Sequence, residues 1–246
     1  MLFFRFLLAV MAACVAPAAF ADAAFDTTFR YFARDNVADE DNDIIRNTTG
    51  VTFHDDGFGT RFALSLGVRN DFFEGEYPVD AQVEALRFRQ WRTSTIGFGG
   101  RIGGYDGGDL TAEALIFGYR EWGDFSGRGL AGLQAVSGEG GFADNRDVGA
   151  FALAELSYYP FDQLAFRASV IGDDIDMLAT LGAELGFGRF PVSVFADWTL
   201  ALNRYRDDQY YNDFVFGFRI SSPFSSLQER DRVSQWRATS RPVDPQ

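Results

Sequence analysis

Between Thr60 and Arg69 the chain alternates, with Phe62, Leu64, Leu66 and Val68 on one side and Arg61, Ala63, Ser65, Gly67 and Arg69 on the other. Successive side chains of a β-strand point to opposite faces, so this spacing predicts a strand with one apolar face. The pattern returns four times toward the C-terminus. Leu164, Phe166, Ala168 and Val170 oppose Gln163, Arg167 and Ser169, and Met177, Ala179, Leu181, Ala183, Leu185 and Phe187 oppose Asp176, Thr180, Gly182 and Glu184. Val192, Val194, Ala196, Trp198, Leu200 and Leu202 oppose Ser193, Asp197, Thr199 and Asn203, and Phe214, Phe216, Phe218 and Ile220 oppose Asp213, Gly217 and Arg219. These four segments read as a meander. Weaker strands are expected over Phe25 to Ala33, Ala81 to Trp91, Ser94 to Gly103, Leu110 to Trp122, Phe125 to Val136 and Val148 to Tyr159. Val51 to Phe53 reads as a short piece of the first long loop.

The connections are of two kinds. Arg92-Thr93, Gly123-Asp124, Pro160-Phe161-Asp162 and Gly188 to Pro191 are short and carry the Gly and Pro of tight turns. Arg34 to Arg46, Asn70 to Asp80, Ser137 to Asp147 and Arg204 to Asn212 are longer and acidic. Beyond Ile220 the alternation stops. Ser226 and Glu229 have the spacing of a capping box that opens a short helix through Trp236, and the tail 222–246 reads as a minor appendage.

The first residues change the picture. A short start with Arg5, an apolar run from Phe6 to Val15 and an Ala-x-Ala site at Ala19 to Ala21 predict a secretory signal peptide over 1–21. The only cysteine, Cys14, lies in it. A lipoprotein reading would lipidate Cys14, but Met11 fits that motif poorly. Cleavage after Ala21 leaves a mature chain without thiol chemistry or disulfides. The mature part then reads as one domain, 22–221. No later stretch is apolar enough for a transmembrane helix, so any membrane crossing falls to strands.

Asp and Glu number 35 against 22 Lys and Arg, a formal charge of −13, which argues against a nucleic-acid partner. All the cations are arginines. The polar strand faces carry Gly, Ser, Thr and Ala with occasional Arg, Asp or Glu, which suits a narrow interior of small residues and ion pairs. Aromatic residues cluster near expected strand ends, at Phe72, Phe73, Tyr77, Tyr119, Trp122, Phe125, Tyr158, Tyr159, Phe161, Phe190, Tyr210 and Tyr211, as interfacial girdles would require. The clear strands are also long enough to cross a bilayer when tilted.

With these features the span from Phe25 to Ile220 resembles the small outer-membrane β-barrel proteins of Gram-negative bacteria. The resemblance is one of pattern, without a diagnostic motif. It implies an all-β, antiparallel up-and-down meander barrel of about ten strands, within a range of 8 to 12, with a polar interior and acidic loops. It also implies residence in the outer membrane, contact with its lipid and lipopolysaccharide, and insertion by the barrel insertion machinery. The final strand of such proteins usually ends the chain in an aromatic residue. Here Asp213 to Ile220 is the equivalent, and further residues follow it.

Three motifs invite a chemical reading. His54, the only histidine, stands beside Asp55 and Asp56 and reads as a solvated loop residue. No Gly-x-Ser-x-Gly motif accompanies it, and the chain does not resemble the barrel lipases, deacylases or proteases. Asp39, Asp41 and Asp43 copy the start of a calcium loop, but Ile44 replaces its turn glycine and Gly50 its bidentate glutamate. Gly127, Gly129 and Gly132 spell Gly-x-Gly-x-x-Gly inside an expected strand, where close packing in a barrel accounts for them better than phosphate binding. No catalytic, cofactor or metal residue is nominated. The leading expectation is a non-enzymatic envelope-structural or narrow-pore barrel, cation-preferring if it conducts. The alternative is a soluble periplasmic barrel or sandwich that holds an apolar ligand on inward Phe and Leu faces. An envelope hydrolase using His54 ranks third.

Overall fold

In a computed structural model, residues 23–35, 43–70, 79–105, 110–137, 148–173, 176–188, 190–203 and 210–234 are described. Twelve antiparallel strands occupy them: β1 (Ala23–Asp35), β2 (Asp43–Asp55), β3 (Phe58–Asn70), β4 (Val79–Gln90), β5 (Ser94–Tyr105) and β6 (Leu110–Trp122), then β7 (Phe125–Ser137), β8 (Val148–Phe161), β9 (Leu164–Asp173), β10 (Asp176–Gly186), β11 (Val192–Asn203) and β12 (Tyr210–Ser221). A helix, α1 (Leu227–Ser234), follows. Each strand pairs with its sequence neighbours, and β12 closes on β1 from Asp26↔Ser221 to Asp35↔Asn212. The meander barrel is thus closed, with no sheet edge left to pair elsewhere.

The strand count stands at the upper end of the expected range. The strand not anticipated is β2, which absorbs Val51 to Phe53 and the last residues of the expected first loop, Asp43 to Arg46. Its sequence, Asp-Ile-Ile-Arg-Asn-Thr-Thr-Gly-Val-Thr-Phe-His-Asp, mixes polar residues on both faces and so lacks the period-two signal. Pairing with β1 and β3 along its length supplies what local pattern does not.

The β2–β3 turn shows how the short connections work. Asp56 and Gly57 both have positive φ, 45° and 77°, which suits a tight hairpin because its handedness matches the twist of the flanking strands. Near Pro160 the β8–β9 register shifts between Tyr158 and Phe161, a bulge where proline has no N–H to give the ladder.

The two faces are sharply different. Ile96, Phe98, Ile102 and Ile116 stand more than half exposed on the outside, while Leu86 and Phe88 on the inside are 2% exposed. The outward band continues through Phe62, Leu64, Val83, Leu133, Leu156, Phe166, Val170, Leu181, Val194, Trp198, Phe214, Phe216 and Phe218. An apolar surface this extensive is not stable against water; it is a surface for lipid. Trp91, Trp122, Phe125, Tyr158, Phe161, Phe187 and Phe190 form a girdle at the turn end, where Phe125 and Tyr158 stack with centroids 4.8 Å apart. Two of the expected girdle residues do otherwise, because their parity points them inward: Tyr119 and Tyr159 are buried in the lumen. Phe72, Phe73 and Tyr77 lie outside the described residues, as do the side chains of Tyr210 and Tyr211.

Candidate functional site: the lumen and its helical plug

The inner face does not have the uniformly polar character expected of it. From β4 to β10 it carries a packed apolar cluster of Leu86, Phe88, Leu115, Phe117, Leu130, Phe151, Leu153, Ile171 and Leu178. Gly97 on β5 lies between Phe88 and Phe117, and a Cβ there would collide with the Phe117 ring and with the Phe88 Cβ. Glycine is required at that point because these side chains occupy the space of its missing one.

The rest of the lumen is ionic. Arg46, Arg61, Arg101, Arg128, Arg167 and Arg219 each face a carboxylate. Arg61 bridges β1 and β4: its Nη2 donates to Asp26 at 3.0 Å and its Nε to Glu84 at 3.3 Å. Arg101 donates from Nε to Glu113 at 2.9 Å, and Arg128 from Nη2 to Glu155 at 3.3 Å. Buried charges are tolerable only when paired in this way, since each ion alone would carry a desolvation penalty of several kcal/mol. Among these pairs cations and carboxylates are close to balanced, so the excess negative charge of the chain is not concentrated in them.

The strongest concentration of charge closes the turn end, and two of its five members come from outside the strands. Ser222 to Ser226 fold the chain back beneath the barrel, with the Ser222 amide donating to the Phe25 carbonyl at 2.7 Å. Ser226 then caps α1. Its hydroxyl accepts from the Glu229 amide at 3.1 Å, while Glu229 reaches back to accept from the Ser225 amide at 3.0 Å. The Ser225 hydroxyl, then its amide, hold the Glu229 carboxyl below its usual range. Capping satisfies amides that the first turn of a helix leaves open, so a helix of eight residues can form.

Across the mouth of the barrel α1 touches nearly every sector of the wall. The Leu227 amide donates to the Asp162 carbonyl at 2.8 Å, and its side chain packs on Tyr159 and Ala165. Gln228 donates to the Gly123 carbonyl at 3.0 Å. Arg232 donates to the Arg92 carbonyl at 2.9 Å and to Glu121 at 3.0 Å. At the far side Val233 contributes its carbonyl, 3.2 Å from His54 Nε2. His54 is therefore the last inward residue of β2 and part of the helix seat, not a solvated loop residue; its ring also meets Phe88 edge-on at 5.9 Å.

Two residues of α1 enter the lumen. Arg230 Nη2 lies 2.7 Å from Glu184 on β10, and Nη1 donates to Ser193 on β11 at 3.0 Å. Asp231 accepts from the Tyr159 hydroxyl at 3.0 Å and lies 3.5 Å from Arg167 and 3.7 Å from Arg219. Arg167 also pairs with Glu184, so five charges from β9, β10, β12 and α1 share one dry cluster. Burial by itself would raise the Asp231 carboxyl, but Arg230 and Arg167 outweigh it and hold the group below the usual carboxylate range. Residues 222–234 are thus not a minor appendage; they pack across the turn end of the barrel and insert two charges into it.

The other sequence motifs fall away from this cluster. Asp39 and Asp41 lie outside the described residues, and Asp43 begins β2. Gly127, Gly129 and Gly132 lie within β7, with no helix after them. Gly132 faces inward against Phe151, as close packing requires, but Gly127 and Gly129 face outward. Among the described residues no group of His, Cys, Asp and Glu is arranged to hold a metal ion. The acidic stretches at 36–42, 71–78, 138–147 and 204–209 are likewise outside the described residues. The sequence alone does not single out Arg230 and Asp231 as residues that enter the lumen. The signal was present as Glu-Arg-Asp-Arg just after a capping box, a charge run whose default meaning is a solvated face.

A closed antiparallel barrel with an apolar outer belt and a filled, ion-paired interior is a transmembrane β-barrel of the outer-membrane type. The soluble alternative does not survive, because the Phe and Leu faces point outward and the inward cluster is packed. Solved structures place the fold more narrowly. The chain is similar to a COG4313 outer membrane channel from Pseudomonas putida F1 (TM-score 0.60, 10% identity, 82% of this chain and 96% of that one). It is also similar to the KdgM porin (TM-score 0.58, 9% identity, 79% and 98%) and to the translocator domain of the autotransporter NalP from Neisseria meningitidis (TM-score 0.54, 13% identity, 89% and 94%). Comparison with protein-family models and with curated protein sequences finds no match. At such identities the likeness is one of fold.

Proposed function

We propose that the protein is a narrow, self-plugged outer-membrane channel without enzymatic activity, held shut at its turn end by α1. The observation that carries this reading is the insertion of Arg230 and Asp231 into the charge cluster of Glu184, Arg167 and Arg219. A helix held only by its rim would serve as an ornament; one whose charges complete a buried network occludes the lumen. In outer-membrane barrels the short-turn end faces the periplasm, so the plug would sit on the periplasmic side. Export through a signal peptide cleaved after Ala21, insertion by the barrel machinery through β12, and contact of the long loops with lipopolysaccharide complete the proposal.

The test is conductance in planar bilayers of the mature chain and of a form ending at Ser222. Small or rare currents from the full chain and larger, steady currents from the truncated one support the plug. Equal low conductance in both, with the truncated form still folded by heat-modifiable gel migration, would make the barrel a sealed structural element.

A further inference from the structure

The outer face of β4 breaks its own pattern. Val83 and Ala85 are followed on the same side by Arg87 and Arg89, both exposed at the level of the turn-end girdle. An arginine on the lipid face is costly at the bilayer midplane and costs close to nothing near the interface, so its side chain must reach the headgroup region. Both do so, and toward the same place. The Arg87 and Arg89 guanidinium carbons lie 5.3 and 5.4 Å from the centroid of the Phe58 ring, and Arg89 is also 5.3 Å from the Trp91 ring. Arg87 donates to the Thr60 hydroxyl as well. Two cations therefore crowd one aromatic ring. In the lumen Arg46, Arg61, Arg101, Arg128, Arg167 and Arg219 are met by carboxylates, but among the described residues no salt bridge joins a carboxylate to either of these two. Arg92 and Arg120 add exposed positive charge at the same end.

Beside this pair runs an apolar groove of about 770 Å³, lined by Arg87 and Arg89 at one edge and by Ile96, Phe98 and Ile116 along its length, with Gly118, Gly129 and Ala131 in its floor. The floor glycines are not demanded by the barrel wall. A Cβ would meet nothing nearer than 3.9 Å at Gly118 and 3.8 Å at Gly129, in contrast to the collision at Gly97. Glycine at these two sites leaves a depression open to the lipid side.

The geometry points to a site for one anionic phospholipid of the leaflet at the turn end. Its phosphate would sit between Arg87 and Arg89, whose planar donors suit a phosphate and whose mutual repulsion the anion relieves. An acyl chain would lie in the groove over Gly118 and Gly129. The charge selects the lipid, and the groove orders its tail. Lipopolysaccharide is excluded as the occupant because its headgroups belong to the opposite leaflet, at the end of the long loops.

Native mass spectrometry of the full mature chain in detergent, titrated with phosphatidylglycerol and with phosphatidylcholine of the same acyl chains, tests this. Binding of one phosphatidylglycerol roughly tenfold tighter than phosphatidylcholine is expected, with that preference lost in an R87Q/R89Q variant. Gly129→Leu should weaken both lipids alike by filling the groove. Both variants lie on the outer surface, and heat-modifiable migration checks that they fold. Equal affinity for the two lipids, a preference that persists in R87Q/R89Q, or a dimer that forms without lipid and is lost in Gly129→Leu would each overturn the proposal, the last by assigning the groove to a second copy of the chain.

Discussion

Arg230 of the C-terminal helix and Glu184 of β10 meet at 2.7 Å, although 46 residues of sequence, including two strands, separate them. Glu184 is 1% exposed and also faces Arg167, Arg219 and the Ser193 hydroxyl. The wall thus presents a carboxylate that several cations share, and the helix supplies one of them.

Removing Arg230 tests that coupling. Arg230→Ala leaves Glu184 and Asp231 with one cation fewer, and breaking a buried pair by deleting one partner costs about 3–5 kcal/mol. The expected outcome is release of the helix with the barrel intact: the tail of Arg230→Ala is cut by added protease in detergent while the strands resist. Equal resistance of the tail in wild type and variant would show that rim contacts alone hold α1.

Acid should open the plug only at very low pH. The Asp231 carboxyl is held below its ordinary value, so the stability it contributes is fully present above about pH 4, where the free group is ionised, and disappears as pH falls through the lowered value. Conductance is therefore expected to stay unchanged between pH 7 and pH 5 and to rise only well below pH 4. Opening near pH 6 would show that Asp231 is not the group whose charge holds the helix.

Leu115 and Ile116 are neighbours on β6 with opposite environments, 4% and 65% exposed. Ile116→Arg puts a charge in the apolar belt and should lower stability in lipid vesicles by about 2–4 kcal/mol. Leu115→Ala hollows the inner cluster and should cost about 2–5 kcal/mol. Urea-driven unfolding from vesicles measures both, and an innocuous Ile116→Arg would contradict the assignment of the outer face.

Glycines on the two faces should respond in opposite ways. Gly97→Ala drives a methyl group into Phe88 and Phe117, and overpacking of this kind costs about 1–3 kcal/mol. Gly129→Ala adds a methyl group to open space and should leave the midpoint of the same unfolding curve unmoved or slightly higher.

What the sequence determined by itself is the class of the fold and the direction of its faces. Alternation is written locally: a strand sends successive side chains to opposite sides, so Leu181 and Thr180 disclose their environments without reference to any other strand. The capping box at Ser226 and Glu229 is equally local, and the helix begins there. β2 escaped because Asn47, Thr48, Thr49 and Thr52 blur both faces, and its identity comes from pairing with β1 and β3. Only the tertiary structure decided how the interior is filled and closed. Parity says that Tyr159 faces the opposite side to Tyr158, but not that it meets Asp231, 72 residues away. Arg61 finds Asp26 only when the barrel curves β1, β2 and β3 around a common axis, and Arg219 meets Thr28 only because β12 closes on β1. Charge pairing inside a barrel depends on register and curvature, which are properties of the whole closed sheet. A charged helix after the last strand becomes a plug only when that sheet has built a mouth of matching charge.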